Sequence, residues 1–312
     1  MKAGVDLGGT NIQAVVTDGG ARVLGSARRE TPSGGPLAVV GELAGAVREA
    51  AAAADLAPGE LTGVGVGAPG SIDPERGVVT KIANVDSWDE PFGLAEALAR
   101  ELSLPVAVGN DVSAAVEAER RFGAGREHDS FLGVFWGTGV GAGVVVDGRP
   151  LRGRGSAGEL GHMVAKRGGR RCACGLRGCV EAYAGRGALE ERARRLARRR
   201  KTALFEIQRR RGRPRLTSGV WVRALEGGDV LARDLLERAV VALGVGIGSA
   251  VNLLDVEAVV LGGGLGLRLG SEWLRRVERE ALQHVFFPEP PVFRLAELGD
   301  DAGAIGAALL AP

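Results

Sequence analysis

All three cysteines of this chain lie in one short segment together with a histidine. His162, Cys172, Cys174 and Cys179 follow the pattern H-x9-C-x-C-x4-C. Three thiolates and one imidazole form a closed tetrahedral ligand set for zinc, and such a set leaves no coordination position for a catalytic water. The spacing therefore predicts a structural zinc ion that holds an irregular loop. The alternative interpretation is a chance cluster of free thiols.

Two glycine-rich turns each join a pair of apolar strands. The first is DLGGTN at 6–11, and the second is GTGVGAG at 137–143. Glycine lets backbone N–H groups approach an anion closely, and the hydroxyls of Thr10 and Thr138 can add to them. Asp6 is positioned to orient a hydrated magnesium ion. Either turn alone could be an ordinary hairpin, but their repetition indicates a triphosphate that is bound from two sides.

A third glycine cluster, Gly262-Gly263-Gly264, follows an apolar strand and precedes a helical pattern. The missing side chains would let a base or a ribose approach the backbone. No lysine follows the cluster, so it is not a Walker loop, and it lacks the position and spacing of the dinucleotide fingerprint.

Four further polar residues lie where chemistry on a hydroxyl group is feasible. Asn110 and Asp111 stand where a strand meets a helix. A carboxylate there can accept a proton from an incoming hydroxyl while the amide holds that hydroxyl in position, although Asp111 could also cap the helix. Glu159 and Glu181 flank the metal-binding segment, and paired hydroxyl acceptors of this kind bind polyols.

The elements that must position these residues are indicated by hydrophobic periodicity. Each half of the chain begins with short antiparallel strands and continues with alternating helices and strands, which predicts two α/β units in tandem with a boundary near Asp111. The predicted strands are 3–7, 12–17, 22–27, 61–68, 105–108, 131–135, 141–146 and 258–261. The predicted helices are 36–54, 94–102, 112–122, 186–201, 230–253, 272–284 and 301–310.

The composition is that of a globular chain. Its 312 residues are 45% hydrophobic and 25% charged, which is enough for two domains. The longest weakly apolar run, 239–254, is shorter than the ~20 residues of a membrane span, so no membrane partner is expected. The odd cysteine count and the lack of a recognisable secretory signal disfavour disulfides and indicate the reducing cytoplasm.

Charge is unevenly distributed along the chain. The net charge is +2, but residues 186–215 contain 13 basic and 3 acidic side chains. Such a run could bind nucleic acid, yet it contains a single aromatic residue, Phe205, and no recognition-helix pattern. A solvated helix face or a subunit contact is the preferred interpretation, and no nucleic-acid partner is expected.

In combination, these motifs resemble those of the ROK family (repressors, open reading frames and sugar kinases) over essentially the whole chain. The matching segments are DLGGTN at 6–11, GVGAPGSID at 65–73, ND at 110–111, GTGVGAG at 137–143, GELGHM at 158–163 and CACGLRGCVE at 172–181. The resemblance implies the actin-like ATPase (ribonuclease H-like) fold, with two α/β domains that have mixed sheets around a central cleft. It implies an N-terminal domain at 1–110, completed by a helix at 297–312, and a larger domain at 111–296 that carries the zinc loop and nucleotide contacts.

The same resemblance assigns roles to individual residues. Asp111 would be the general base that takes the proton from the 6-hydroxyl of a hexose. ATP would be the phosphoryl donor, and Mg²⁺ would accompany it. His162 would ligate zinc through one ring nitrogen and contact the sugar through the other. The sugar-binding residues would be Gly70, Asn84, Asn110, Asp111, Glu159, His162 and Glu181. The nucleotide-binding residues would be Asp6, Gly8, Gly9, Thr10, Asn11, Gly137, Thr138, Gly139, Gly262, Gly263 and Gly264.

Within the family, the acidic and histidine set together with GAPGSID and IANVDSW resembles bacterial glucokinases, so glucose is the expected hexose. Kinases for fructose, mannose, allose or N-acetylhexosamine share most of these residues and remain alternatives. A sugar-sensing protein without catalysis is another alternative. Because the first strand starts at Lys2, we expect no DNA-binding helix-turn-helix. A homodimer or a homotetramer is expected.

Overall fold

The computed structural model describes residues 1–57, 59–82, 88 and 90–312, and it divides into two compact units. The first unit contains Met1–Glu127, Arg152–Ala157 and Asp300–Pro312, and the second contains His128–Leu151 and Gly158–Gly299. Asn84, which the family resemblance assigns to the sugar, lies outside the described residues.

The first unit is built on a five-stranded mixed sheet. Its strands β1 (Lys2–Leu7), β2 (Asn11–Thr17) and β3 (Val23–Glu30) form an antiparallel meander because glycine turns reverse the chain between them. The strands β4 (Gly63–Ala68) and, later, β8 (Val106–Asn110) run parallel to β1 and give the order β3-β2-β1-β4-β8. A small sheet between them contains β5 (Ser71–Asp73), β6 (Val78–Lys81) and β7 (Phe92–Gly93).

The helices in the described part of residues 1–127 are α1 (Pro36–Ala53), α2 (Leu94–Leu102) and α3 (Asp111–Phe122). Apolar residues of α1 recur at helical spacing, so Leu43 and Val47 are buried in the same core as the strand residues Val5 and Leu7. The first core therefore lies between α1 and the sheet.

The second unit repeats this strand arrangement. Strands β9 (Phe131–Trp136), β10 (Val140–Val146) and β11 (Arg149–Pro150) form the antiparallel meander, and β12 (Ala258–Gly262) and β13 (Val292–Leu295) are parallel to β9. The order is β11-β10-β9-β12-β13, which corresponds strand for strand to the first sheet. The predicted tandem of meander and α/β segments is confirmed.

Six helices belong to the second unit. The longest, α8, is largely buried and packs against α9. Among the described residues, no helix has both the length and the apolar character that crossing a membrane requires. The helices are α4 (Glu181–Ala184), α5 (Arg186–Leu196), α6 (Leu204–Arg210), α7 (Ser218–Glu226), α8 (Val230–Leu254) and α9 (Gly266–Leu282).

The last helix, α10 (Ala302–Leu310), belongs to the first unit and packs against β1, β4 and α3. Glycine is required where the helix crosses the strands. A Cβ atom added at Gly4 would lie 1.9 Å from the carbonyl oxygen of Ala304, and one added at Gly65 would lie 1.7 Å from that of Ala307. The strand glycines therefore let the helix backbone rest directly on the sheet.

Two helix ends and one domain boundary are among the features that differ from the sequence-based expectation. Helix α5 ends at Leu196 instead of Lys201. Helix α9 begins at Gly266 instead of Glu272, and Gly270, with φ at 72°, separates its two helical parts. The first unit continues to Glu127, beyond the boundary expected near Asp111, because α3 packs against α10.

The substitution Gly65→Ala tests this packing. Its methyl group would overlap the backbone of α10, so the free energy of unfolding should fall by about 1–3 kcal/mol or more, as measured by urea denaturation. Gly41→Ala is the matched control, because an added Cβ at this helix position in α1 meets open space among the described residues. The control should be neutral or stabilising by up to about 1 kcal/mol. Equal stability of the two variants would contradict the close contact.

Candidate functional site

The carboxyl ends of β1, β4 and β8 meet at one edge of the first sheet. Asp6 is in register with Gly67, and Gly67 is in register with Gly109. Asn110 and Asp111 follow directly at the end of β8. Ligands of open α/β sheets bind beyond the carboxyl ends of the parallel strands. The fold therefore brings Asp6, Asn110 and Asp111 to the edge where a ligand site is expected.

Asn110, and not Asp111, is the N-cap of α3. Its Oδ1 atom accepts a hydrogen bond from the N–H of Ser113 at 2.9 Å, while Oδ1 of Asp111 accepts one from the N–H of Val112 at 2.8 Å. The possible cap at Asp111 is displaced by one residue because the helix begins at Asp111 itself. A Cβ atom added at Gly67 would lie 3.2 Å from Cα of Asp111, so this glycine lets the helix start close to β4.

The carboxyl group of Asp6 lies in an unfavourable environment for a negative charge. Burial raises its pKa from 3.8 to about 7, repulsion by Asp111 acts in the same direction, and Arg28 opposes both. Helix α10 contributes to this burial, since a Cβ atom added at Gly303 would lie 2.7 Å from Oδ2 of Asp6. A divalent cation bound near two carboxylates reduces the repulsion between them. The residues present therefore fit the predicted magnesium ion.

The first glycine turn is fixed by its own backbone. The N–H of Gly8 donates to the carbonyl of Asn11 at 3.0 Å, and the hydroxyl of Thr31 donates to the carbonyl of Gly8 at 2.6 Å. The N–H of Thr31 donates to the carbonyl of Thr10 at 3.1 Å. Gly9 and Thr10 are exposed at the tip. The turn therefore presents a defined surface on which a phosphate can bind.

Gly70 lies just beyond β4, at the same edge of the first sheet, and is exposed. Its φ of 94° is in the left-handed region, which favours glycine. This conformation turns the chain from β4 into β5 beside the carboxyl edge.

The four predicted metal ligands come together in the second unit. The ligand atoms of His162, Cys172, Cys174 and Cys179 all lie within 4.8 Å of one another. The sulfur atoms of Cys174 and Cys179 are 3.8 Å apart, and Sγ of Cys172 is 3.8 Å from Nδ1 of His162. In a tetrahedral site with Zn–S bonds of about 2.3 Å, neighbouring sulfurs lie about 3.8 Å apart. These two separations therefore match those of a tetrahedral zinc site.

The thiol groups at this separation favour a cation for an electrostatic reason. Burial, which is the largest cause, and the neighbouring thiols raise the pKa of Cys179 to about 12. Three thiolates at such distances repel one another unless a positive charge lies between them. A bound divalent metal supplies that charge and displaces the thiol protons.

The two glutamates beside the metal cluster make different contacts. Glu181 Oε2 accepts a hydrogen bond from the N–H of Val140 at 2.9 Å, and a Cβ atom added at Gly139 would lie 2.2 Å from the same oxygen. His162 directs Nδ1 towards the thiols, while its Nε2 lies 3.9 Å from Oε2 of Glu159. The imidazole can thus hold a metal on one side while its other nitrogen faces Glu159.

The second and third glycine clusters are adjacent in the second unit. The N–H of Gly137 donates to the carbonyl of Gly139 at 3.0 Å, and a Cβ atom added at Gly137 would lie 3.9 Å from the nitrogen of Gly264. A Cβ atom at Gly263 would lie 2.6 Å from backbone atoms of Trp136, which only glycine permits. The structure therefore brings the predicted nucleotide-binding segments 137–139 and 262–264 together.

Two arginines that sequence reasoning did not select lie at these glycine segments. Arg186 donates a hydrogen bond to Oγ1 of Thr138 at 2.8 Å, and Arg268 donates one to the carbonyl of Gly264 at 3.0 Å. Arg186 was hidden in the basic segment 186–215, which was interpreted as a solvated face or a subunit contact. The available signal was its position, five residues after Glu181 at the start of a helix.

Comparison with known proteins assigns the chain to a family. The model of the ROK family matches residues 2–312. A glucokinase of Streptomyces coelicolor is 34% identical over 320 residues, covering 100% of this chain and 97% of the relative. The crystal structure of a ROK family glucokinase from Streptomyces griseus in complex with glucose and AMPPNP has a TM-score of 0.85 and 31% identity, and the similarity covers 99% of this chain and 98% of that one.

A regulator is also similar to part of the chain. The DNA-binding transcriptional dual regulator NagC of Escherichia coli is 32% identical over 205 residues, which is 65% of this chain and 48% of the regulator.

The match of the family model over residues 2–312 shows that the chain belongs to the ROK family. Its fold is the actin-like ATPase fold that the sequence predicted.

The pKa of Asp6 gives a test of the carboxyl edge. Between pH 4 and about 7 the folded protein binds this proton more tightly than the unfolded chain does, so the contribution to stability is present at low pH and is lost as the pH rises through about 7. In magnesium-free buffer, ¹³C NMR of the carboxyl groups should find Asp6 titrating near pH 7. Asp111→Asn should lower this pKa, because it removes one of the two causes. An Asp6 titration near pH 4 in the unmodified protein would contradict the assigned environment.

Proposed function

We propose that the protein phosphorylates a hexose at the 6-hydroxyl with ATP, and that the hexose is glucose. The observation that carries this proposal is the similarity, over 99% of this chain and with a TM-score of 0.85, to a ROK family glucokinase crystallised with glucose and AMPPNP. The hexose-kinase class is further supported by curated glucokinases that are 32% and 34% identical over nearly their full length.

In this proposal Asp111 is the general base. Its backbone is fixed in the first turn of α3, and its Oδ1 atom accepts the N–H of Val112. Asp111 accepts the proton of the sugar hydroxyl as the oxygen attacks the terminal phosphorus of ATP, and the bond from that phosphorus to the bridging oxygen breaks to release ADP. Asn110 positions the same hydroxyl. Phosphoryl transfer depends mainly on such positioning and on neutralisation of the phosphate charges.

The ring hydroxyls of the sugar are assigned to side chains that the metal cluster orients. Glu159, His162 and Glu181 accept or donate hydrogen bonds at these hydroxyls, and Gly70 and Asn84 complete the sugar site. The support for this assignment is local: His162 has one nitrogen near the thiols and the other near Glu159. A zinc ion held by His162, Cys172, Cys174 and Cys179 supplies rigidity to the loop and leaves no position for substrate.

The donor nucleotide is assigned to the three glycine-rich segments that the family resemblance selects. Magnesium, when bound, neutralises phosphate charge, and Asp6 orients it through its water ligands. The raised pKa of Asp6 supports this role, because a nearby cation would stabilise its ionised form. The phosphate-binding and nucleotide-binding residues are Gly8, Gly9, Thr10, Asn11, Gly137, Thr138, Gly139, Gly262, Gly263 and Gly264.

A sugar-sensing protein without catalysis is the second candidate, favoured by the partial similarity to NagC. The two candidates differ in one measurable property. A kinase consumes ATP only when its hexose is added, whereas a sensor binds the sugar without turnover. A panel of glucose, fructose, mannose, allose and N-acetylhexosamines in a coupled assay also identifies the preferred hexose.

We further propose that the protein is cytoplasmic and that it forms a homodimer or a homotetramer.

Asp111→Asn should reduce kcat for hexose phosphorylation by about 10²–10⁴-fold, because the base is lost. The dissociation constant of the sugar should change little, since the amide keeps the shape and a hydrogen-bonding oxygen. Coupled kinetics and calorimetry measure the two quantities. Asp55→Asn is the matched control, because it makes the same charge change at a residue with φ at 53°, which asparagine tolerates. Turnover near that of the unmodified protein in the Asp111 variant would reject the assigned base.

Removal of zinc should weaken sugar binding. Chelation, with metal loss verified by mass spectrometry, is expected to raise the hexose dissociation constant about tenfold or more, because displaced side chains lose their alignment with the substrate. Cys174→Ala removes the exposed ligand and should have the same effect. Adding zinc back should restore the chelated protein but not the variant. An unchanged dissociation constant in metal-free protein would contradict the role of the cluster.

A further inference from the structure

Arg186 makes two hydrogen bonds that do not neutralise its charge. Its guanidinium donates to Oγ1 of Thr138 at 2.8 Å and to Oγ of Ser218 at 3.1 Å. Both acceptors are uncharged hydroxyl groups. A guanidinium carries five N–H donors, and these two bonds use two of them. The side chain is therefore held at the second glycine turn with its positive charge and further donors available to a ligand.

The backbone around Arg186 fixes it to the same turn. The N–H of Arg186 donates to the carbonyl of Gly137 at 3.1 Å, and the N–H of Gly187 donates to the carbonyl of Thr138 at 3.1 Å. A Cβ atom added at Gly185 would lie 3.3 Å from the carbonyl oxygen of Thr138. The start of α5 and the glycine turn thus form one rigid structure, and Arg186 has little freedom to leave it.

Two more arginines extend the positive charge around Arg186. Burial is the largest cause of the lowered pKa of Arg186, and repulsion by Arg215 and Arg268 adds to it, while Glu190 opposes the shift. Glu190 is engaged elsewhere: its Oε1 accepts from Arg194 at 2.7 Å, and its Oε2 accepts from the N–H of Leu216 at 3.1 Å. Glu190 Oε2 also lies 3.6 Å from Nε of Arg215, so its charge is divided among several arginines, while both side-chain hydrogen bonds of Arg186 go to neutral hydroxyls.

The arginine cluster spans both glycine segments of the second unit. Arg186 contacts Thr138 in the segment 137–139, and Arg268 donates to the carbonyl of Gly264 at 3.0 Å in the segment 262–264. An anion seated at these glycines would meet backbone N–H groups and guanidinium donors together. Arginine binds phosphate through paired N–H donors in a planar fork, which gives stronger bonds than neutral donors do.

We propose that Arg186, supported by Arg215 and Arg268, binds phosphate oxygens of the donor and determines donor affinity. This inference rests on the proposed function, since it assigns new residues to the donor site of that reaction. Because guanidinium groups recognise phosphate and not the base, Arg186 should contribute equally to the binding of ATP and GTP. It should contribute nothing to the binding of the hexose.

Arg186→Met tests the proposal, because it keeps the length of the side chain and removes the charge. The variant should raise KM for ATP by about tenfold or more, with KM for the hexose unchanged within about twofold. Calorimetry with AMPPNP should show the same loss of affinity without turnover, and the loss should be equal for a guanosine analogue. Arg186→Lys keeps the charge but lacks the planar pair of N–H donors. Its KM for ATP should therefore lie between those of the unmodified protein and Arg186→Met.

Arg223→Met is the matched control, since it removes an exposed positive charge from α7, the helix that carries Ser218. It should leave both KM values unchanged. The proposal is overturned if Arg186→Met binds AMPPNP as tightly as the unmodified protein, or if KM for hexose rises in parallel with KM for ATP and the melting temperature falls. Absence of hexose-dependent ATP turnover in the unmodified protein would contradict the proposed reaction. Calorimetry of nucleotide binding would still test the role of Arg186 in that case.

Discussion

The arrangement of three thiols and one imidazole within 4.8 Å is the constraint on which the second unit's candidate site depends. The segment from Gly158 to Gly185 contains one 3-10 turn, isolated bridges and the four-residue helix α4, so regular hydrogen bonding does not stabilise most of it. A metal ion held by these four ligands would supply the stabilisation that regular hydrogen bonding does not. Glu181 follows the last cysteine by two residues and bonds to the N–H of Val140. The metal cluster and the glycine turn are therefore mechanically connected through one carboxylate.

The two units provide chemically different surfaces on similar frameworks. In the first unit, Asp6 and Asp111 repel each other at the carboxyl edge, and this repulsion suits a cation and a proton acceptor. In the second unit, Arg186 and Arg268 lie at the glycine segments, and their guanidinium N–H groups suit phosphate oxygens. A shared strand order thus carries carboxylates in one unit and guanidiniums in the other. The strand order sets where side chains emerge, and the residues at those positions determine the chemistry.

Features encoded over short distances could be predicted from the sequence. The cysteine spacing predicted the ligand cluster, and short apolar runs predicted every meander strand except the two-residue β11. Features that depend on distant contacts could not be predicted. Helix α3 joins the first unit only because α10 covers it, and Asn110 and Asp111 are both capable caps until the start of the helix is known. Arg186 resembled its 12 basic neighbours in the segment 186–215 apart from its position five residues after Glu181, and its contact with Thr138 depends on the folded chain.

The packing of α10 against glycines of β1 and β4 has a consequence for biosynthesis. The strands β1 and β4 are translated early, but the helix that covers their glycines is translated after the whole second unit. Until it emerges from the ribosome, one face of that sheet stays exposed, and the wall beside Asp6 is incomplete. The second unit draws its sheet and helices from 128–151 and 158–299 and has all of them earlier. The nascent chain should therefore be able to complete its arginine-bearing half before its acidic half.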